Sequence, residues 1–164
     1  MRSNRDEGLA AKMRKIHKKQ NSKKDCGSND VLDNVMQTKD SLFELCDQIR
    51  ETAFSLHRHL RHGHLEKIYE NGLFHRLSKM EMSVQQQHPV PVFDEDGTLL
   101  GDLFADLFIN HQIIVELKAA RYLSEEHVAQ LLGYLRSSNI EHGLLINFGS
   151  PKLEIRKFAL SQLN

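Results

Sequence analysis

Two cysteines, Cys26 and Cys46, are all the thiols in a chain of 164 residues, too few for a disulfide scaffold or a thiolate zinc site. No apolar run approaches the roughly 18 residues that a membrane helix needs, and no apolar stretch follows the charged N-terminus to act as a signal peptide. The expectation is a soluble, cytoplasmic protein with no membrane partner. Proline is scarce at three residues, and two of them, Pro89 and Pro91, fall in one β-prone stretch where they permit only an edge or irregular strand. There is no internal repeat.

What is present is ordinary globular usage, with 40% hydrophobic and 27% charged residues, enough to bury one core. A net charge of zero hides an asymmetry: residues 1–24 hold nine Lys and Arg against two acids, a net +7, while the rest holds 13 against 20, a net −7. Two readings fit such an arm, a solvated tail or an element that reaches a polyanion. The organisation expected is a basic, disordered arm over residues 1–40 and one domain over 41–164.

Ser41 and Glu44 have the spacing of a capping box, and Leu45, Ile49, Ala53, Leu56 and Leu60 recur at helical intervals behind them. Gly63 interrupts, and Leu65, Ile68, Tyr69, Leu73 and Leu77 mark one face of a second helix. Past Met82 the period drops to two. A strand through Phe93, a turn over 94–97, and strands over 98–109 and 113–118 are expected. Ser124 can cap a third helix with Val128, Leu131, Leu132 and Leu135 inward. Residues 143–148 are a buried strand, and a last strand runs through Phe158.

Chemistry enters with "IIVELKAA". Glu116 and Lys118 stand two apart on an apolar strand and so share a face. Buried charges must be paired or bind an ion, and a plain Glu–Lys pair at a sheet edge is the simpler alternative. Asp106, in "LFADLFI", adds a lone acid on the preceding strand. An odd connection centred on His111 sets Asp106 opposite Glu116, with Cβ atoms about 5 Å apart. A two-residue loop at Asn110 and His111 would instead set it opposite Val115 and dissolve the pair. Two carboxylates that close repel unless a cation neutralises them, and oxygen ligands favour Mg²⁺ or Mn²⁺. The histidines His57, His59, His62 and His64 crowd the first helix junction, either as a transition-metal set or as groove and surface residues.

An acid on one strand followed by Glu-x-Lys on the next, in an αβββαβ order, resembles the PD-(D/E)XK nuclease superfamily. The string from Gly63 to Tyr69, "GHLEKIY", is similar to the motif of the GxxExxY protein family, and the likeness continues through "ADLFINHQIIVELKA", "HVAQLLGYL" and "GLLINFG". It covers roughly residues 45–160. Ala105 stands before Asp106 where the superfamily pattern has proline.

The resemblance implies a restriction-endonuclease-like α/β fold with a mixed four-stranded sheet between helices. It implies Asp106 as the central metal-bridging acid, Glu116 as a second ligand and the backbone carbonyl of Leu117 as a third. Lys118 is then the group that orients a water or stabilises charge on phosphate. Glu66 is either the helix acid that some members add to the metal shell or an exposed helix charge. Gln130, sharing a face with His127, is either the glutamine of the helix after the Lys strand or a solvated polar residue. The activity implied is Mg²⁺- or Mn²⁺-dependent hydrolysis of phosphodiester bonds in nucleic acid. The rival is a catalytically silent nucleic-acid- or protein-binding module of the same fold. Oligomeric state is not legible.

Overall fold

A computed structural model describes residues 29–162, with side chains from residue 41 onward. Of the arm expected over residues 1–40, residues 1–28 lie outside the described residues; residues 29–40, expected to be disordered, are the opening part of a helix. The chain divides into two compact units, residues 1–45 and 46–164. Of the described residues, the first unit holds only the opening part of one helix; the sheet and all its flanking elements lie in the second.

Helix α1 runs Asn29–Leu60 and α2 Glu66–Ser78. Strands β1 (Val84–Phe93), β2 (Leu99–Ile109) and β3 (Ile113–Lys118) come next. Helix α3 is Glu125–Ser138, β4 His142–Asn147 and β5 Glu154–Ala159, before a short 3-10 turn at Leu160–Gln162. Ser41 lies inside α1 and not at its start: no Gly or Pro interrupts the sequence from Asn29 to Leu60, so the helix has no reason to start at a capping-box spacing met in passing. From residue 46 on, its buried stripe is Cys46, Ile49, Ala53 and Leu56.

Helix α2 buries Tyr69, Glu70, Leu73 and Leu77, whereas Leu65 and Ile68, expected inside, are exposed. Leu65 is the N-cap residue, so it precedes the turn where the apolar face meets the sheet. The helix turns an acid inward in their place.

The sheet has five strands in the order β1-β2-β3-β4-β5, one more than the four-stranded sheet the resemblance implies. Pairings are antiparallel except β3 with β4, which is parallel. The fifth strand, β5, is the last strand expected through Phe158 and closes the edge beyond β4. Its sequence, "EIRKFA", interleaves charges with apolar residues, as suits an edge with one wet face. At the opposite edge β1 carries Pro89 and Pro91, both exposed, in keeping with the missing N–H groups.

Helix α3 packs on one face of the sheet, where Leu131, Tyr134 and Leu135 join Phe108, Ile114 and Leu145 in one core cluster. Alternation sends Ile113, Val115, Leu117, Leu144 and Ile146, all fully buried, to the other face. There the ring of Phe148, just past β4, stacks on Tyr69 of α2. The architecture is a three-layer α/β sandwich.

Candidate active site

The connection between β2 and β3 decides whether the strand acids meet. Asn110 and His111 both adopt left-handed backbone angles, φ 48° and 58°, and Gln112 N–H closes onto the Ile109 carbonyl at 3.0 Å. Three residues thus turn the chain, and the register runs Ile109↔Ile113, Phe108↔Ile114 and Leu107↔Val115. Continued one step, this register would set Asp106 opposite Glu116; the pairing itself ends at Leu107↔Val115, and the charge of Asp106 acts on Glu116. The alternative that would have paired Asp106 with Val115 is not the one formed.

Beyond Leu107↔Val115 the backbone ladder stops, and a side chain takes over: Asp106 Oδ2 accepts the Leu117 N–H at 2.7 Å. Since Phe148 N–H binds the Lys118 carbonyl at 2.7 Å, Lys118 turns its carbonyl toward β4. Leu117, one residue earlier, turns its N–H and C=O the other way, toward Asp106.

Glu116 is 2% exposed and Asp106 9%. Lys118 Nζ donates to Glu116 Oε1 at 2.6 Å, while Glu116 Oε2 is buried without a hydrogen-bond partner. Burial, then the charge of Asp106, raises the Glu116 pKa to about 7 against the pull of Lys118. Asp106 is also raised, chiefly by burial, with the Leu117 N–H opposing and Glu66 reinforcing. Burial pulls the Lys118 ammonium toward neutrality, but its hydrogen bond to Glu116 and the charges of Glu116, Glu66 and Asp106 outweigh this and raise its pKa. Lys118 therefore stays protonated.

Glu66, at the first turn of α2, reaches across the layers: its Oε2 accepts the Ala119 N–H at 3.2 Å. Its charge acts on Asp106, Glu116 and Lys118. Glu66, Asp106, Glu116, Lys118 and the Leu117 backbone are thus brought together. Gln130 is exposed and donates to the Tyr134 hydroxyl at 2.7 Å. Tyr134 feels the charges of Glu116 and Asp106, so Gln130 touches the group through that ring. His127 instead accepts the Ser124 N–H at the start of α3, 3.2 Å away.

Two residues of this neighbourhood escaped the sequence. Glu70, 2% exposed, accepts from Lys67 at 2.6 Å and Gln86 at 2.9 Å through Oε1, and from Gln87 at 3.1 Å through Oε2. Gln87, in the left-handed region at φ 49° within a strand, also donates to Asp106 Oδ1 at 3.3 Å. Glu70 follows Glu66 by four residues, the spacing of one helix face, and that was the one available signal. Of the histidines, His57 is buried with its Nε2 3.0 Å from the Ser150 carbonyl oxygen, while His59, His62 and His64 are exposed.

Among the described residues no three His, Cys, Asp or Glu side chains form a ready-made metal cage. Mg²⁺ is commonly held by one or two carboxylates with waters and substrate phosphates completing its shell. The unpartnered Glu116 Oε2, the raised pKa values of Asp106 and Glu116 and a Leu117 backbone turned to the Asp106 side fit that kind of cation.

The chain matches the PD-(D/E)XK nuclease superfamily over residues 43–158. It belongs to that superfamily. No curated protein and no solved structure matched it. Membership agrees with the three-layer fold and with the acid, acid and lysine on neighbouring strands of this PD-(D/E)XK protein; the narrower likeness to the GxxExxY family rests on the motif strings alone. Among the described residues no helix is long and apolar enough to cross a membrane.

Proposed function

We propose that this protein hydrolyses phosphodiester bonds of nucleic acid with the help of Mg²⁺ or Mn²⁺. One observation carries the reading: Glu116 sits buried between Lys118 and Asp106 with one oxygen paired and the other unpartnered. A buried acid whose pKa is raised to about 7 is costly to a fold, and such perturbed groups cluster at functional sites.

In this reading Asp106, Glu116 and the Leu117 carbonyl are the cation ligands, with Glu66 contributing from α2. A cation bound there would supply Lewis-acid polarisation of the phosphate and lower the pKa of a coordinated water. The chain's own residues do the rest. Leu117 N–H holds Asp106 in place, and Glu116 fixes the Lys118 ammonium by a 2.6 Å hydrogen bond. Lys118, kept protonated, stabilises negative charge growing on the phosphoryl oxygens and orients the attacking water. Gln130 and Tyr134 form the polar wall on the α3 side.

The basic arm is proposed to bind phosphates away from the chemistry, and the proposed setting is the cytoplasm. Incubation of purified protein with mixed single- and double-stranded DNA and RNA, with and without Mg²⁺ or Mn²⁺, tests the reading. Cation-dependent cleavage that Asp106→Ala abolishes supports it. Cleavage that persists in Asp106→Ala, or no cleavage of any of the four substrates, favours the silent binding module.

A further inference from the structure

We propose that Asn147 is a positioning residue that locks the chain after β3 to the chain after β4, and through it sets Glu66 for cation binding; this rests on the cation reading above. Asn147 ends β4 opposite Lys118 in the parallel ladder and is fully buried. Its Oδ1 accepts two backbone N–H groups, Ala120 at 3.1 Å and Gly149 at 3.0 Å. A backbone N–H can only donate, so these two bonds fix which way the amide faces.

The amide Nδ2 is left buried with no partner. Asparagine is thus retained at the expense of an unsatisfied donor, which an apolar residue would not carry. The benefit lies on the oxygen side. No backbone group among the described residues reaches Ala120 N–H in its place, and the neighbouring residue, Ala119, gives its own N–H to Glu66 Oε2 at 3.2 Å.

Gly149 completes the junction. A Cβ there would lie 2.3 Å from the Ala119 carbonyl carbon, 2.4 Å from the Ala120 oxygen and 2.5 Å from the Ala120 nitrogen. Only glycine lets the two backbones approach so closely. Phe148 N–H on the Lys118 carbonyl ties the same turn one residue earlier. The "INFG" string therefore shapes the turn that carries Lys118 at its start and the Glu66 anchor next to it.

The test is a double-mutant cycle read as Mn²⁺ affinity by calorimetry, with melting of each metal-free variant alongside. Asn147→Ser is too short to hold both N–H groups and is expected to weaken Mn²⁺ binding about tenfold, the usual scale for residues that support ligands. In a Glu66→Gln background the same substitution should add little, because the group through which it acts is already gone. Asn147→Asp keeps an oxygen for both N–H groups, remains measurable if the serine variant does not fold, and should bind at least as well as the parent. Lower melting of Asn147→Ser with unchanged Mn²⁺ affinity, full additivity with Glu66→Gln, or equal weakening by Asp and Ser overturns the positioning role while leaving the cation reading intact. A parent that binds no Mn²⁺ overturns both.

Discussion

The ring of Tyr69 lies on that of Phe148 with centroids 4.6 Å apart and an interplanar angle of 14°. The Tyr69 hydroxyl donates to the Arg61 carbonyl at 2.7 Å and accepts the His64 N–H at 3.2 Å. The tyrosine of "GHLEKIY" is therefore a core residue whose hydroxyl is engaged on both sides by backbone groups. It pins the first turn of α2, and with it Glu66, to the end of β4.

Tyr69→Phe keeps the stack and loses both hydroxyl bonds, leaving the Arg61 carbonyl without its partner. A loss of about 1 kcal/mol in urea unfolding is expected. Tyr69→Ala also removes a fully buried ring and should cost about 3 to 5 kcal/mol. Equal stability of parent and Tyr69→Phe would show the hydroxyl bonds to be unimportant for the fold.

The raised Glu116 pKa makes the metal-free protein less stable as pH climbs. Below about 4.5 the carboxyl is protonated in both folded and unfolded chains; between there and about 7 the folded state alone keeps the proton. Stability should fall across this window by a few kcal/mol, on the order of 1.4 per pH unit of separation. Glu116→Gln should flatten the slope, and Asp106→Asn, which removes a neighbouring charge, should narrow the window from its upper end. Melting temperatures from pH 4 to 8 in chelator check this, and a parent whose stability rises through that range by this group would contradict it.

Much of this site could be seen in the chain because the charges interrupt apolar strands. Asp106, Glu116 and Lys118 stand out against "LFADLFI" and "IIVELKAA", and strand alternation leaves few ways to arrange them. The loop parity that joins them depends on Asn110 and His111 accepting positive φ, which narrows the choice without deciding it. Glu70 and Gln87 look like any helix acid and any strand glutamine. Their significance arises only when α2 lies against β1, a tertiary fact. Ser41 misled for the opposite reason: a local capping pattern was overridden by an uninterrupted helix-forming stretch on both sides.

Lys118→Ala should separate chemistry from cation binding. An ammonium is no ligand, so most of the Mn²⁺ affinity should remain, whereas cleavage should fall by about 10² to 10³, the scale of losing one preorganised charge stabiliser. Parallel calorimetry and cleavage rates decide it; a variant that cleaves at the parental rate would remove Lys118 from the mechanism.

Deleting residues 1–28 spares α1, which begins at Asn29, and removes nine Lys and Arg with three acids, a net +6. If the arm binds phosphates, the slope of log affinity against log salt should shrink by about one for each phosphate the truncated chain no longer neutralises. Fluorescence anisotropy over a salt series gives the slope. An unchanged value would make the arm a solvated tail.

The central claim is that Asp106 and Glu116 hold a divalent cation, and thermal unfolding of parent and Asp106→Asn across a Mg²⁺ and Mn²⁺ series tests it most directly. A cation bound only by the folded state stabilises as RT ln(1 + [L]/Kd), about 2.7 kcal/mol at a hundred times Kd. The parent should therefore melt progressively higher as either metal rises through the millimolar range, and Asp106→Asn should respond much less. No shift in the parent, or an equal shift in both proteins, would contradict the account.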